Sequence, residues 1–165
     1  MILANFDKNK TEPDIKISIQ NQDFDLTEEV NFLEESNEED GAVVTFSGRV
    51  RNNNLGKTVK GLFLEHYPEM TEKALLHIIL KAQKKWNIGR VTIIHRIGQL
   101  AVGEQIVFVG VTSKHRKEAF SACEFIMDYL KVDAPFWKKE LSDGKEHWLA
   151  AKSSDQDKAS DWLNK

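Results

Sequence analysis

The chain has 165 residues, 41% of them hydrophobic and 30% charged, enough to bury one core and better suited to one domain spanning 1–165 than to two. Its formal net charge of −3 argues against wholesale binding to nucleic acid or an anionic membrane. The apolar run at Met1 to Asp7 is too short for a signal peptide, and no segment approaches the ~20 apolar residues that span a bilayer, so a soluble cytoplasmic protein is expected.

In chain order, Ile15, Ile17 and Ile19 alternate with polar residues and predict a strand. Thr27, Glu28 and Glu29 open a short helix carrying Val30 and Leu33, and the acidic run Glu34 to Asp40 reads as a solvated connection. The segment Val43 to Arg51 predicts a strand with Val44, Phe46 and Val50 on one face and Arg49 and Arg51 on the other. The turn residues Asn52 to Lys57 then lead into a strand at Val59 to Tyr67, a hairpin. Pro68 and Glu69 begin a helix with the stripe Leu75, Ile78, Ile79, Ala82 and Trp86, which ends near Asn87 or Gly89 and leaves His77 on the surface.

Strands are predicted at Arg90 to Ile97 and at Gln105 to Thr112, the second so continuously apolar that both its faces are expected to be covered. A helix follows from His115 to Lys131, with Ser113 as its N-cap and Phe120, Cys123, Met127 and Leu130 as its buried stripe. Segments Ala134 to Leu141 and Glu146 to Leu149 flank Asp143-Gly144, the signal of a second hairpin, and a C-terminal helix carries Trp162 and Leu163. Helices interspersed among hairpin strands indicate an α+β fold.

Common chemical signatures are missing. The chain has no glycine-rich phosphate loop, GxGxxG, GxSxG or HExxH, and its five histidines are dispersed, so neither a cofactor nor a metal is expected. The single cysteine, Cys123, lies on an apolar stripe and reads as an inert core thiol. What remains is a set of cations suited to gripping an anion and moving protons: Arg49 or Arg51, His115, Arg116, Lys131 and Lys138. Arginine clamps phosphate or carboxylate through paired N–H bonds, and a lysine beside other cations or partly desolvated can lose its proton near neutral pH.

Several long blocks carry a more specific signal. The blocks Phe46 to Gly56, Leu64 to Met70, Val91 to Gly98, Val109 to Arg116 and Asp128 to Lys139, which hold Arg49-Val50-Arg51, Glu65-His66-Tyr67-Pro68, His95-Arg96, Lys114-His115-Arg116, Leu130-Lys131 and Phe136-Trp137-Lys138-Lys139, resemble the molybdopterin synthase catalytic (large) subunit family. The blocks occur in family order across 41–148. The resemblance implies an α/β hammerhead fold with an added antiparallel β subdomain. It also implies a sulfurtransferase of molybdenum cofactor biosynthesis that converts cyclic pyranopterin monophosphate (precursor Z) to molybdopterin. Two sulfurs would arrive as thiocarboxylates on the C-terminal Gly-Gly of a small ubiquitin-like partner subunit. The assembly implied is a heterotetramer around a central homodimer of large subunits.

Carried over by position, the family's anion-binding arginine falls on Arg51, its His-Arg pair on His115 and Arg116, and its active-site lysines on Lys131 and Lys138. Substrate binding is thereby assigned to Arg51, His115 and Arg116, and catalysis to Lys131 and Lys138, the division of roles between the lysines staying open. His95 and Arg96 read as structural, and Trp137 as a core residue. Two other classes compete: a nucleic-acid module using Arg49, Arg51, Lys138 and Lys139 with Phe136 and Trp137, which the negative charge disfavours, and a scaffolding dimer. One geometric difficulty stands out: fifteen residues of helix at ~1.5 Å each separate Arg116 from Lys131 by over 20 Å. Either the helix is shorter than predicted, or the two groups meet across the interface of the homodimer.

Overall fold

The computed structural model describes residues 1–6, 14–142, 144–150 and 153–163. Two sheets carry the chain. The first has the order β1 (Ile2–Ala4), β2 (Ile15–Gln20), β6 (Ile88–Arg96), β8 (Gln105–Ser113), β3 (Ala42–Arg49), with β2 and β6 parallel and the other neighbours antiparallel. The second has the order β10 (Lys145–Leu149), β9 (Phe136–Ser142), β5 (Lys57–His66), β4 (Asn53–Asn54), with β7 (Gly98–Ala101) also paired to β5. Helices α1 (Leu26–Glu34), α2 (Met70–Lys85), α3 (Arg116–Asp133) and α4 (Ser153–Asp161) complete an α+β arrangement. No helix of the described residues is long and apolar enough to cross a membrane.

The first sheet is covered on both faces, as the apolar run of β8 predicts. Ile15, Ile17, Val91, Ile93, Val109 and Val111 pack against Leu75, Ile78 and Ile79 of α2 and Cys123, Phe125 and Ile126 of α3. Ile94 and Phe108, on the other face, pack with Leu33 of α1 and Phe24. The approach of α1 is close enough that a Cβ at Gly110 would clash with Leu33 Cδ1 and crowd the Phe108 ring, so a larger residue there would force those buried side chains to move. A smaller cluster, Val50, Leu62, Leu64 and Leu100, joins the two sheets.

Local chemistry explains most boundaries. The carboxylate of Asp25, not Thr27, caps α1 by accepting from the amides of Thr27 at 2.7 Å and Glu28 at 3.2 Å. The first hairpin turns on Leu55 and Gly56, both with positive φ (51° and 78°), the mirror-image turn that matches strand twist. Helix α2 ends at Lys85, a little short of the predicted Asn87 or Gly89, and His77 is exposed. The second hairpin forms, with Gly144 at φ 72°, while Asp143 lies outside the described residues.

Three expectations are corrected. Ser113 is the fully buried last residue of β8, donating to the Asn87 carbonyl at 2.8 Å, and the N-cap of α3 is His115. The buried stripe of α3 is Ala119, Ala122, Cys123, Phe125, Ile126 and Leu130, so Phe120 points to solvent, because α3 packs on α2 as well as the sheet and its contact face is rotated. Trp137 is exposed rather than in the core, since the register of β9 on β5 turns Phe136 inward and its neighbour outward. The C-terminal helix stops at Asp161; Trp162 is buried against Trp86 and Phe125, its indole N–H donating to Asp128 at 2.9 Å, and Leu163 is exposed.

Candidate active site

Register decides which of the candidate cations share a neighbourhood. In the β3–β8 pair, Ala42 stands opposite Ser113 and Arg49 opposite Gln105, so Arg51 leaves β3 at the end of the sheet remote from His115 and Arg116. Helix α3 then runs back over the sheet. Cys123 Sγ reaches the Val109 carbonyl at 3.9 Å halfway along, and eight further residues at ~1.5 Å bring Lys131 about level with Gln105, which lies four strand residues at ~3.3 Å beyond Val109. Arg51 and Lys131 therefore occupy the same end of the first sheet.

Lys138 comes to that end from the second sheet. It stands opposite Leu64 on β5, and Leu64 belongs to the cluster with Val50, the residue before Arg51. Phe136, two residues earlier on the same face of β9, stacks on His95 of β6 with ring centroids 3.8 Å apart and 18° between planes. The His95 ring also bonds the Arg96 carbonyl at 2.8 Å. A carbonyl only accepts, so Nδ1 carries the proton and Nε2 holds the lone pair. Burial pushes the His95 imidazolium down to about 3, with nearby Lys138 and His66 opposing its charge further, so the ring is neutral beside the lysine.

The end of the molecule that holds Arg51, Lys131 and Lys138 lacks His115 and Arg116. These sit at the opposite end of the unbroken 18-residue α3, about 22 Å from Lys131 by helix rise. All four of Arg51, His115, Arg116 and Lys131 are exposed, and none makes a side-chain hydrogen bond or ion pair among the described residues. Neighbouring cations are committed elsewhere. Arg49 donates through Nε to the Gly103 carbonyl at 2.7 Å, and Lys139 pairs with Glu146 at 2.8 Å. This separates Arg51 from Arg49, a distinction that spacing alone left open. Arg96 is structural as expected, buried and donating to the Asn21 and Gln105 carbonyls.

Unpaired cations on an acidic chain are suited to an anionic ligand, because they neutralise its charge without first breaking an internal pair. The thiol offers no nucleophile: burial, with Glu124 nearby, raises Cys123 to about 12. Sequence reasoning missed the support behind Lys138. The His95–Phe136 stack joins residues 41 positions apart, and the continuous burial of β6 from Val91 to Arg96 offers no alternation from which the partner of His95 could be read.

Comparison with known proteins identifies the family and the fold. Residues 19–133 match the model of the family described as MoaE protein. The molybdopterin synthase catalytic subunit of Salmonella typhimurium is 58% identical over 139 residues, covering 84% of this chain and 92% of that protein. Among solved structures, the molybdopterin biosynthesis MoaE protein from Burkholderia ambifaria superposes with a TM-score of 0.78 at 45% identity, covering 90% of this chain and 98% of the other. A protein–protein complex of subunits 1 and 2 of molybdopterin-converting factor from Helicobacter pylori shares the fold, with a TM-score of 0.67 at 23% identity over 84% of this chain and 92% of that one.

Proposed function

Because the chain belongs to the MoaE family of molybdopterin synthase catalytic subunits, enzymes of molybdenum cofactor biosynthesis, we propose that it transfers two sulfurs to cyclic pyranopterin monophosphate. The donor in this reading is a small ubiquitin-like subunit bearing a thiocarboxylate on its C-terminal glycine. A two-subunit complex is described for the Helicobacter pylori relative. Each transfer forms a carbon–sulfur bond on the pterin side and breaks the acyl–sulfur bond of the carrier, which ends as a carboxylate with its oxygen supplied by water. The chain's one thiol is protonated and buried, which supports delivery of sulfur from another molecule.

The roles assigned here follow the family resemblance. Arg51, His115 and Arg116 hold the phosphate and the pterin, for which a guanidinium offers paired N–H donors. Lys131 and Lys138 orient the thiocarboxylate and carry protons, Lys138 standing beside a neutral imidazole that adds no competing positive charge. The observation that carries the reading is the separation of the cations: Arg51, Lys131 and Lys138 at one end of the first sheet, His115 and Arg116 at the other. One small substrate cannot span that distance, so the complete pocket takes the His-Arg pair of one protomer and the lysines of its partner in a central homodimer. The cytoplasm is the compartment assigned in this proposal.

The test is molybdopterin formation from the pterin and a thiocarboxylated small subunit by purified protein. Turnover in the wild type and its loss in Lys131→Ala supports the assignment; equal turnover in both removes Lys131 from it.

A further inference from the structure

The outer face of the second sheet carries a row of aromatic rings that the proposed reaction does not use. Register places Trp148, Lys139 and Phe63 side by side across β10, β9 and β5, with Trp137 and Glu65 as the next pair on the same face. Lys138 and Phe136 lie on the opposite face of β9, so this surface looks away from the candidate active site. Tyr67, Trp137 and Trp148 are 53%, 41% and 57% exposed, large values for three big rings gathered at one place.

The face already shows how it treats a positive charge. The Lys139 ammonium lies 4.9 Å from the Trp148 ring centroid and 5.6 Å from that of Phe63, and pairs with Glu146 at 2.8 Å. Two ring faces and one carboxylate thus hold one cation, the arrangement expected from the negative face of an aromatic quadrupole. Immediately beside it, Tyr67, Trp137 and Trp148 line an open cavity of about 430 Å³ together with Glu65 and His66. Tyr67 and Trp137 meet edge to face with centroids 4.5 Å apart, which fixes their planes. Here too there are rings and a carboxylate. No lysine or arginine lines the cavity, and Glu65 makes no ion pair among the described residues.

We propose that this notch receives a lysine or arginine side chain of a protein partner, held by Tyr67, Trp137, Trp148 and Glu65 as Lys139 is held by Phe63, Trp148 and Glu146. Charge complementarity selects a cation. The open shape selects a side chain presented from another surface, because a site for a free small molecule encloses most of its ligand. The proposal is independent of the sulfur-transfer reading, and its test has no activity readout.

The experiment is an NMR titration of the full chain, following the indole N–H resonances of its four tryptophans. The probes are the capped tripeptide acetyl-Gly-Lys-Gly-amide, the same peptide acetylated on Nε, and methylammonium. The charged peptide is expected to shift Trp137 and Trp148 saturably while Trp86 and Trp162 stay fixed, and the acetylated peptide to leave all four unmoved. Methylammonium should bind more weakly than the peptide, and Glu65→Gln should weaken the peptide by about threefold, the scale of one exposed charge pair. Equal shifts with the charged and acetylated peptides, or no shift at Trp137 and Trp148, overturn the cation site. Methylammonium binding as tightly as the peptide overturns the partner side chain in favour of a free amine. A full-strength peptide response in Glu65→Gln removes Glu65 from it.

Discussion

His95 and Phe136 stack ring on ring at 3.8 Å, and this contact fastens the second sheet to the first beside Lys138. The strand that carries the lysine is thereby fixed by a residue on β6. The stack requires an uncharged imidazole, since an imidazolium buried at 2% exposure would lose its hydration without a counter-ion.

Stability should therefore depend on pH through His95. Its folded-state pKa, about 3, lies below the ordinary histidine value of 6.5, so below about 6.5 the unfolded chain binds a proton that the native chain does not. The His95 contribution is complete above that pH and is lost as pH falls towards 3, at up to about 1.4 kcal/mol per pH unit. Urea melts of wild type and His95→Gln at pH 7, 6 and 5 check this, the variant being expected to show the shallower decline. Parallel declines would assign the acid sensitivity to other groups.

Lys131 is exposed in the last turn of α3, where a cation interacts favourably with the helix C-terminus. Lys131→Ala should change stability by less than about 0.5 kcal/mol while lowering kcat by 10²-fold or more, the range of a proton-transfer group. Thermal melts and single-turnover assays with saturating small subunit separate the two effects. An unchanged kcat would contradict the catalytic role.

Arg116→Ala should act mainly on substrate affinity, because a phosphate clamp binds ground and transition states alike. If the pocket is shared, Arg116→Ala and Lys131→Ala protomers refolded together form heterodimers with one pocket doubly defective and one intact. Assayed at a substrate concentration too low to saturate the Arg116→Ala parent, activity should return, up to half the wild-type value per heterodimer. A mixed dimer verified by mass spectrometry that stays inactive would place the whole site within one protomer.

Cys123→Ala should retain full turnover, since the thiol is buried and its pKa is raised to about 12. The cost should be confined to packing, about 1 kcal/mol for a side chain that shrinks by one sulfur atom. Loss of sulfur transfer in a folded Cys123→Ala protein would contradict delivery solely from the carrier.

The strand at Ile15, the stripe Leu75, Ile78, Ile79 and Ala82 on α2, the doubly covered β8 and both hairpins were legible in the sequence, because period and turn chemistry are local properties. The candidate cations were legible too, through the motif blocks that surround them. Tertiary structure decided the rest. On α3, Phe120 and Ala119 both continue a helical stripe through Cys123, and only packing against α2 and the sheet buries the alanine and exposes the ring. Strand β7 is four residues long with one buried side chain, Leu100, too brief for a period to show. Alternation places Phe136 and Trp137 on opposite faces, but which face is inward depends on pairing with β5, a segment seventy residues earlier. The gathering of Arg51, Lys131 and Lys138 at one end of the sheet, and the exclusion of His115 and Arg116 from it, follow from antiparallel register and the return of α3. Those are relations between distant segments, and no local spacing encodes them.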